Sequence, residues 1–427
     1  MPSFDAAELS RIREISSALA EAERPVRILR SLNWPVSVRE EFFSRGAQHL
    51  PAVEYPKFDP TPTLRAIDRA RAEIRDSGAV DGMLSRQAHA VEHSARMLAA
   101  LGTAQFTVHS RALYGSPRDP LPDAETTSLA LAEQLDATIT TLGNVDLGAR
   151  TTPQRDSADV ARALRRAVRS QFGDLAPRVS RVKELSANAL AGPRRIRVRR
   201  DAVFSDLDVG QLIHHEAFVH VGTGLNGHAQ TSLPMLARSH AGSMRTQEGL
   251  AVFAEFISGA IDVDRLSRLA ARVRGIEMAL SGGDFLDVYR YFLERGAESQ
   301  QAFENTRRVF RGGVVEGGAP FTKDDVYLDG LLRVHNFLRV IVRAGRVDCL
   351  RLLFCGKLDI EYIPALAQLS EAGLCVPTRF LPPWARDLRF LVAYLAYSSF
   401  LNRIHLDRMS EHYAAMLEDT PRVMAPG

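Results

Sequence analysis

The stretch His214-His215-Glu216-Ala217-Phe218-Val219-His220 decides how the rest of the chain is read, because it contains the pattern His-Glu-x-x-x-His. That pattern is one residue longer than the spacing with which two helical histidines usually share a zinc ion. On a regular α-helix, residues four apart differ in direction by about 40° and residues five apart by about 140°. Two imidazoles five apart therefore cannot meet one ion on an unbroken α-helix. A π-bulge, with its wider turn, would return His215 and His220 to one face, and such bulges occur mostly at functional sites.

A hydrolytic metal centre needs three protein ligands and one open position. Glu248, in Gln247-Glu248-Gly249-Leu250-Ala251, stands near the start of a following helix whose apolar face is Leu250, Phe253, Ala254 and Ile257. It would complete a His-His-Glu set, and Gly249 beside it would allow close helix packing. An acidic residue in a first helical turn is also favoured by the helix dipole alone, so Glu248 has a purely structural reading as well. Glu216, next to a ligand but aimed differently, is placed to take a proton from the attacking water and deliver it to the leaving amine.

Outward from this centre, Ser205 and Asp208 predict a capping box that opens the helix through both histidines. Arg195-Ile196-Arg197-Val198-Arg199 alternates with period two and predicts a half-buried strand, of the kind that pairs with substrate at its edge in zincins. Upstream, the helical period predicts helices near 5–23, 61–77, 82–102, 125–142, 155–171 and 178–190. Val221 to Gly227 is Gly-rich, and an irregular segment is expected from there to about 245. Asp284 is expected to cap one later helix, Thr322 with Asp325 another, and 384–416 reads as a long, largely buried helix. The expected architecture is α+β and mainly helical: a zincin-like centre with a small antiparallel or mixed sheet between helical N- and C-terminal parts. A boundary near 190 would separate 1–190 from a catalytic part 191–427, although one domain is equally compatible.

The 54 basic and 51 acidic side chains nearly balance, which predicts no nucleic-acid surface. Only four of the basic residues are lysines, at 57, 183, 323 and 357. Three cysteines without a Cys-x-x-Cys pair predict neither a disulfide framework nor a structural zinc site, and fit a reducing cytoplasm. The apolar run from Phe390 to Leu401 falls short of the roughly 20 residues that span a bilayer. No membrane partner is expected, and oligomeric state is not readable.

Three motifs in order, HHEAFVHVGTGLN (214–226), TQEGLA (246–251) and GGAPFTKDDVYLDGLLRVHNFLR (317–339), resemble one family. It comprises the bacterial flavohaemoglobin expression-modulating QEGLA-motif proteins, which share a domain with the eukaryotic microtubule-associated tyrosine carboxypeptidases. The similarity runs from around Ala112-Leu113-Tyr114-Gly115 to beyond Phe337. The resemblance implies one zinc ion held by His215, His220 and Glu248, Glu216 as general base, and removal of a C-terminal residue, tyrosine or another aromatic, from a peptide or protein. Phe218 is bulkier than the residues relatives carry inside the motif, which bears on pocket shape.

A carboxypeptidase must also neutralise a terminal carboxylate and a developing oxyanion. Lys323 and Tyr327, four apart, are the leading candidates, with Arg245 and Arg333, and more weakly Arg307 and Arg308, as carboxylate binders. A solvated lysine and a core tyrosine are the plain reading of that pair. Asn226 is a substrate-binding candidate, and His214 and Glu255 are candidates for orienting ligands. Glu255 by itself reads more simply as a solvated helix charge. The rival functions are a non-catalytic regulatory protein on a peptidase fold and a metal-dependent hydrolase of a non-peptide amide.

Overall fold

In a computed structural model the described residues are 4–142, 155–183, 185, 187–405, 409, 413 and 414. Helices dominate. The helix Ala6–Glu23 starts at Asp5, whose side chain accepts from the Glu8 N–H. Ser157–Phe172 is capped by Asp156, buries Val160, Leu164, Val168 and Phe172 on one face, and stops at Gly173 with φ 59°. A left-handed residue there ends the helix, and glycine accepts it without a Cβ clash.

The region after Gly173 departs from the expected helix over 178–190. It holds two strands, β1 (Arg178–Val182) and β2 (Ala189–Gly192), which join β3 (Arg195–Arg199) in a mixed sheet of order β1-β3-β2. Val179 pairs with Ile196 in the parallel ladder and Ala191 with the same Ile196 in the antiparallel one. Residues such as Val179, β-branched and inward-facing, fit this pleated surface better than a helix. The predicted strand is thus the central one. Its ladder groups are shared with two neighbours, so the edges of the sheet are β1 and β2 and not 195–199.

Two other expectations change. Thr322 does not cap a helix: its backbone N–H donates to Ser110 Oγ, and its hydroxyl lies 2.9 Å from the same atom. Thr322–Asp325 is a 3-10 turn leading into the helix Val326–Arg343. The C-terminal segment is not one buried helix either. A short helix Pro383–Arg386 is followed by Arg389–Leu401, which buries only Leu391 and Leu395, while Phe390 is 65% and Tyr397 63% exposed. Most of 406–416 lies outside the described residues. Asp284, by contrast, caps Phe285–Glu294 with a reciprocal bond to Asp287, as its spacing predicts.

One apolar cluster combines Ile12, Ile15 and Leu19 with Phe253, Leu350, Leu366 and Leu395, so distant parts of the chain share a core. The three cysteines are free and buried. Among the described residues no helix is long and apolar enough to cross a membrane.

Candidate metal centre

The capping box forms as predicted: Ser205 Oγ accepts from the Asp208 N–H, and the Asp208 carboxylate accepts from the Ser205 N–H. The helix Asp206–Leu212 passes into a nine-residue π-helix, Ile213–Val221, and then into the helix Gly222–Ala229. The Gly-rich stretch is therefore helical. Its last glycine serves close packing: a Cβ on Gly227 would lie 2.2 Å from the Leu236 carbonyl oxygen. The wide π turn cancels the five-residue offset, and the His215 and His220 rings meet edge to face with centroids 4.8 Å apart at 84°.

Glu248 comes from the helix Met244–Ile257. That helix crosses Val326–Arg343 where Gly249 meets Gly330, and a Cβ on Gly249 would lie 2.2 Å from the Gly330 carbonyl carbon. Glycine at both positions lets two backbones touch, which brings the Glu248 carboxylate under the histidines. Glu248 Oε2 lies 3.4 Å from His215 Nε2 and 3.5 Å from His220 Nε2. One ligand atom from each of the three lies within 4.8 Å of the others, in a largely buried setting, so this group could hold a metal ion. Two imidazoles and a carboxylate are a donor set suited to a tetrahedral divalent ion with one position open.

The electrostatics around the triad are those of closely paired charges. Burial opposes ionisation of Glu248, yet the Lys323 ammonium and the two histidines hold its carboxyl well below the ordinary range. Burial likewise opposes a charged His215, but Glu248 and Glu255 together raise it well above the usual imidazole value. His220 is lowered, because burial there outweighs Glu248. Glu255 is held down to about 2: burial opposes this, and Arg265 and His215 prevail.

Glu255 is not a solvated helix charge. It is 0% exposed, accepts from Arg265 Nε and Nη2 at 3.0 Å each, and lies 2.6 Å from His215 Nδ1. Glu216 is half-buried, and its Oε2 accepts the Ala191 N–H of edge strand β2 at 3.0 Å. Lys323 Nζ is 3.7 Å from Glu248 Oε1, beside the triad, and 5.2 Å from the centroid of the Tyr327 ring, which packs against it. Arg308 is bound by Asp324 through two bonds of 2.5 and 2.8 Å and also interacts with Tyr327.

Other candidates lie elsewhere. Arg245 and Arg333 converge on Asp329, at 3.0 and 2.8 Å, and not on the triad. Arg307 pairs with Glu304. Both amide hydrogens of Asn226 go to backbone carbonyls, those of Phe354 and Phe380, and its oxygen accepts the Phe380 N–H. Its amide clamps a loop and has no donor left for a substrate. His214 packs edge-on against Phe218, its Nδ1 buried without a partner, and Phe218 itself joins the cluster between the sheet and Ser157–Phe172.

Sequence reasoning missed Arg265 and Lys357. Lys357 Nζ is 3.0 Å from the His220 carbonyl and 3.1 Å from Gln247 Oε1. The rarity of lysine that drew attention to Lys323 applies equally to Lys357. For Arg265, one of fifty arginines, no such signal existed.

A family model described as microtubule-associated tyrosine carboxypeptidase matches residues 40–403. No curated protein matches the chain.

Proposed function

Because the chain belongs to the microtubule-associated tyrosine carboxypeptidase family, we propose that it removes the C-terminal residue of a peptide or protein, with one zinc ion held by His215, His220 and Glu248. The observation that carries this reading is the convergence of those three side chains within 4.8 Å, across a five-residue offset that a regular α-helix would not allow. A divalent ion at that position would make a water more acidic and polarise the scissile carbonyl.

The chain's own residues supply the rest. Glu216 takes the proton of the attacking water and returns it to the departing amine, and its bond to the Ala191 N–H holds the carboxylate in place. The edge strand β2 has no strand on its outer side, where Glu216 takes the Ala191 N–H, and it lies next to an open depression of about 570 Å³ lined by Leu190, Pro193, Arg194 and His228. An extended substrate would lie along that edge with its scissile bond near Glu216. Lys323, with Tyr327 beside it, would meet the terminal carboxylate and the oxyanion that develops on the carbonyl.

The test is a metal assay on protein purified without added ions, followed by digestion of peptides ending in tyrosine, another aromatic or a carboxamide. Stoichiometric zinc and release of a free-acid aromatic residue, with the amidated peptide intact, are expected. Absence of bound metal and of any cleavage would refute the reading.

A further inference from the structure

The motif TQEGLA contains a glutamine and a threonine that hydrolysis does not use, and their bonds lead to a third, distant segment. Gln247 Oε1 lies 2.9 Å from Thr223 Oγ1 and accepts from Lys357 Nζ at 3.1 Å. The same ammonium donates to the main-chain carbonyl of His220 at 3.0 Å. Thr246 Oγ1 accepts the Ile360 N–H at 2.9 Å, clasping the other end of that segment. Lys357 is 5% exposed, and its own N–H donates to the Leu236 carbonyl at 2.8 Å. Gly356 makes the approach possible, since a Cβ there would lie 2.8 Å from that same carbonyl oxygen.

The carbonyl of His220 is where this brace matters. It sits at the end of the π-helix, just before the chain returns to α-helical pairing at Gly222. At such a change of register the main-chain pairing is irregular, and a side-chain donor on a carbonyl there can favour one register over the other. The Val219 carbonyl accepts from the Gly222 N–H and also from Thr223 Oγ1 at 2.8 Å, while Lys357 serves the carbonyl of His220. Without them the segment can close to an ordinary α-helix, which would turn His220 away from His215.

We propose that Lys357 is a positioning residue that holds the π-helical register, and with Gln247 ties the His220 turn to the helix bearing Glu248, so that all three ligands meet one ion. This rests on the metal-centre reading above. Charge alone predicts the opposite sign: removing a cation beside a metal site tightens metal binding, whereas removing a brace weakens it.

The experiment compares the metal-free parent protein with Lys357→Met, titrating Zn2+ against a chelator and Co2+ by its visible absorption, with thermal melts of the metal-free forms. Zinc affinity about 10- to 100-fold weaker and an altered Co2+ band are expected, in a metal-free variant that still melts cooperatively. Unchanged or tighter zinc binding overturns the brace. If Lys357→Met does not fold, Gln247→Met takes its place with the same expected loss and the same overturning result. A parent protein that binds no metal would instead sink the metal-centre reading, and the brace with it.

Discussion

His215 Nδ1 lies 2.6 Å from Glu255 Oε1, so the first histidine is held from behind by a carboxylate two helical turns beyond Glu248. Donation from Nδ1 leaves Nε2 free to face Glu248 and His220. Glu255→Gln would weaken both this orientation and the pairing of Arg265, a side chain only 11% exposed. Metal affinity is expected to drop about 10- to 100-fold, and stability by about 3–5 kcal/mol from the stranded guanidinium. Chelator competition and urea denaturation measure the two separately.

Glu216→Gln should keep its contact with the Ala191 N–H through the amide oxygen, while losing the ability to accept a proton. Turnover is expected to fall by about 10²- to 10⁴-fold with metal content unchanged. Parent-level hydrolysis in this variant would exclude Glu216 as the base.

Lys323→Met tests terminal carboxylate recognition. For peptides with a free C-terminus, kcat/KM should decrease about 10- to 100-fold, the size of a lost charged hydrogen bond. Steady-state kinetics on matched peptides would show an equal value for parent and variant if Lys323 serves only Glu248, 3.7 Å away.

Gly330→Ala would push a methyl group to 2.2 Å from the Arg245 carbonyl oxygen and 2.9 Å from Gly249 Cα. The neighbours are backbone and cannot rotate aside. A loss of at least about 1–3 kcal/mol is expected, seen as a lower urea midpoint, together with weaker metal binding because the Glu248 helix must shift.

Asp325 gives a pH signature. Burial pushes its carboxyl up to about 7 from 3.8, even though Ser128 Oγ is 2.5 Å from it. Below pH 3.8 both folded and unfolded chains carry this proton. Between there and about 7 the unfolded chain ionises while the folded one keeps its proton, so this group's stabilising contribution is lost as pH rises. The slope is at most about 1.4 kcal/mol per pH unit. Asp325→Asn removes it, so melting temperatures at pH 4.5, 6 and 7.5 should show the variant gaining on the parent as pH increases. Parallel profiles would contradict the assignment.

Much of this centre was legible from local pattern. The offset between His215 and His220 demanded a π turn, and the structure has one. Gly249 announced a close helix crossing, though its partner Gly330 did not. The segment 178–190 was misread because β1 and β2 are stabilised by β3, and pairing across a sheet leaves little mark on a short run of residues. Arg245 and Arg333 looked as suitable for a carboxylate as any arginine, until packing gave both of them Asp329.

By itself, then, the sequence determined the helical frame, the capping at Ser205 and Asp284, and the set of residues able to bind a metal, because periodicity, caps and ligand spacing act within a few residues. Tertiary structure alone decided which charges became partners. His215 meets Glu255 from 40 residues away and His220 meets Lys357 from 137, and both contacts matter because burial removes the water that would otherwise have satisfied those groups.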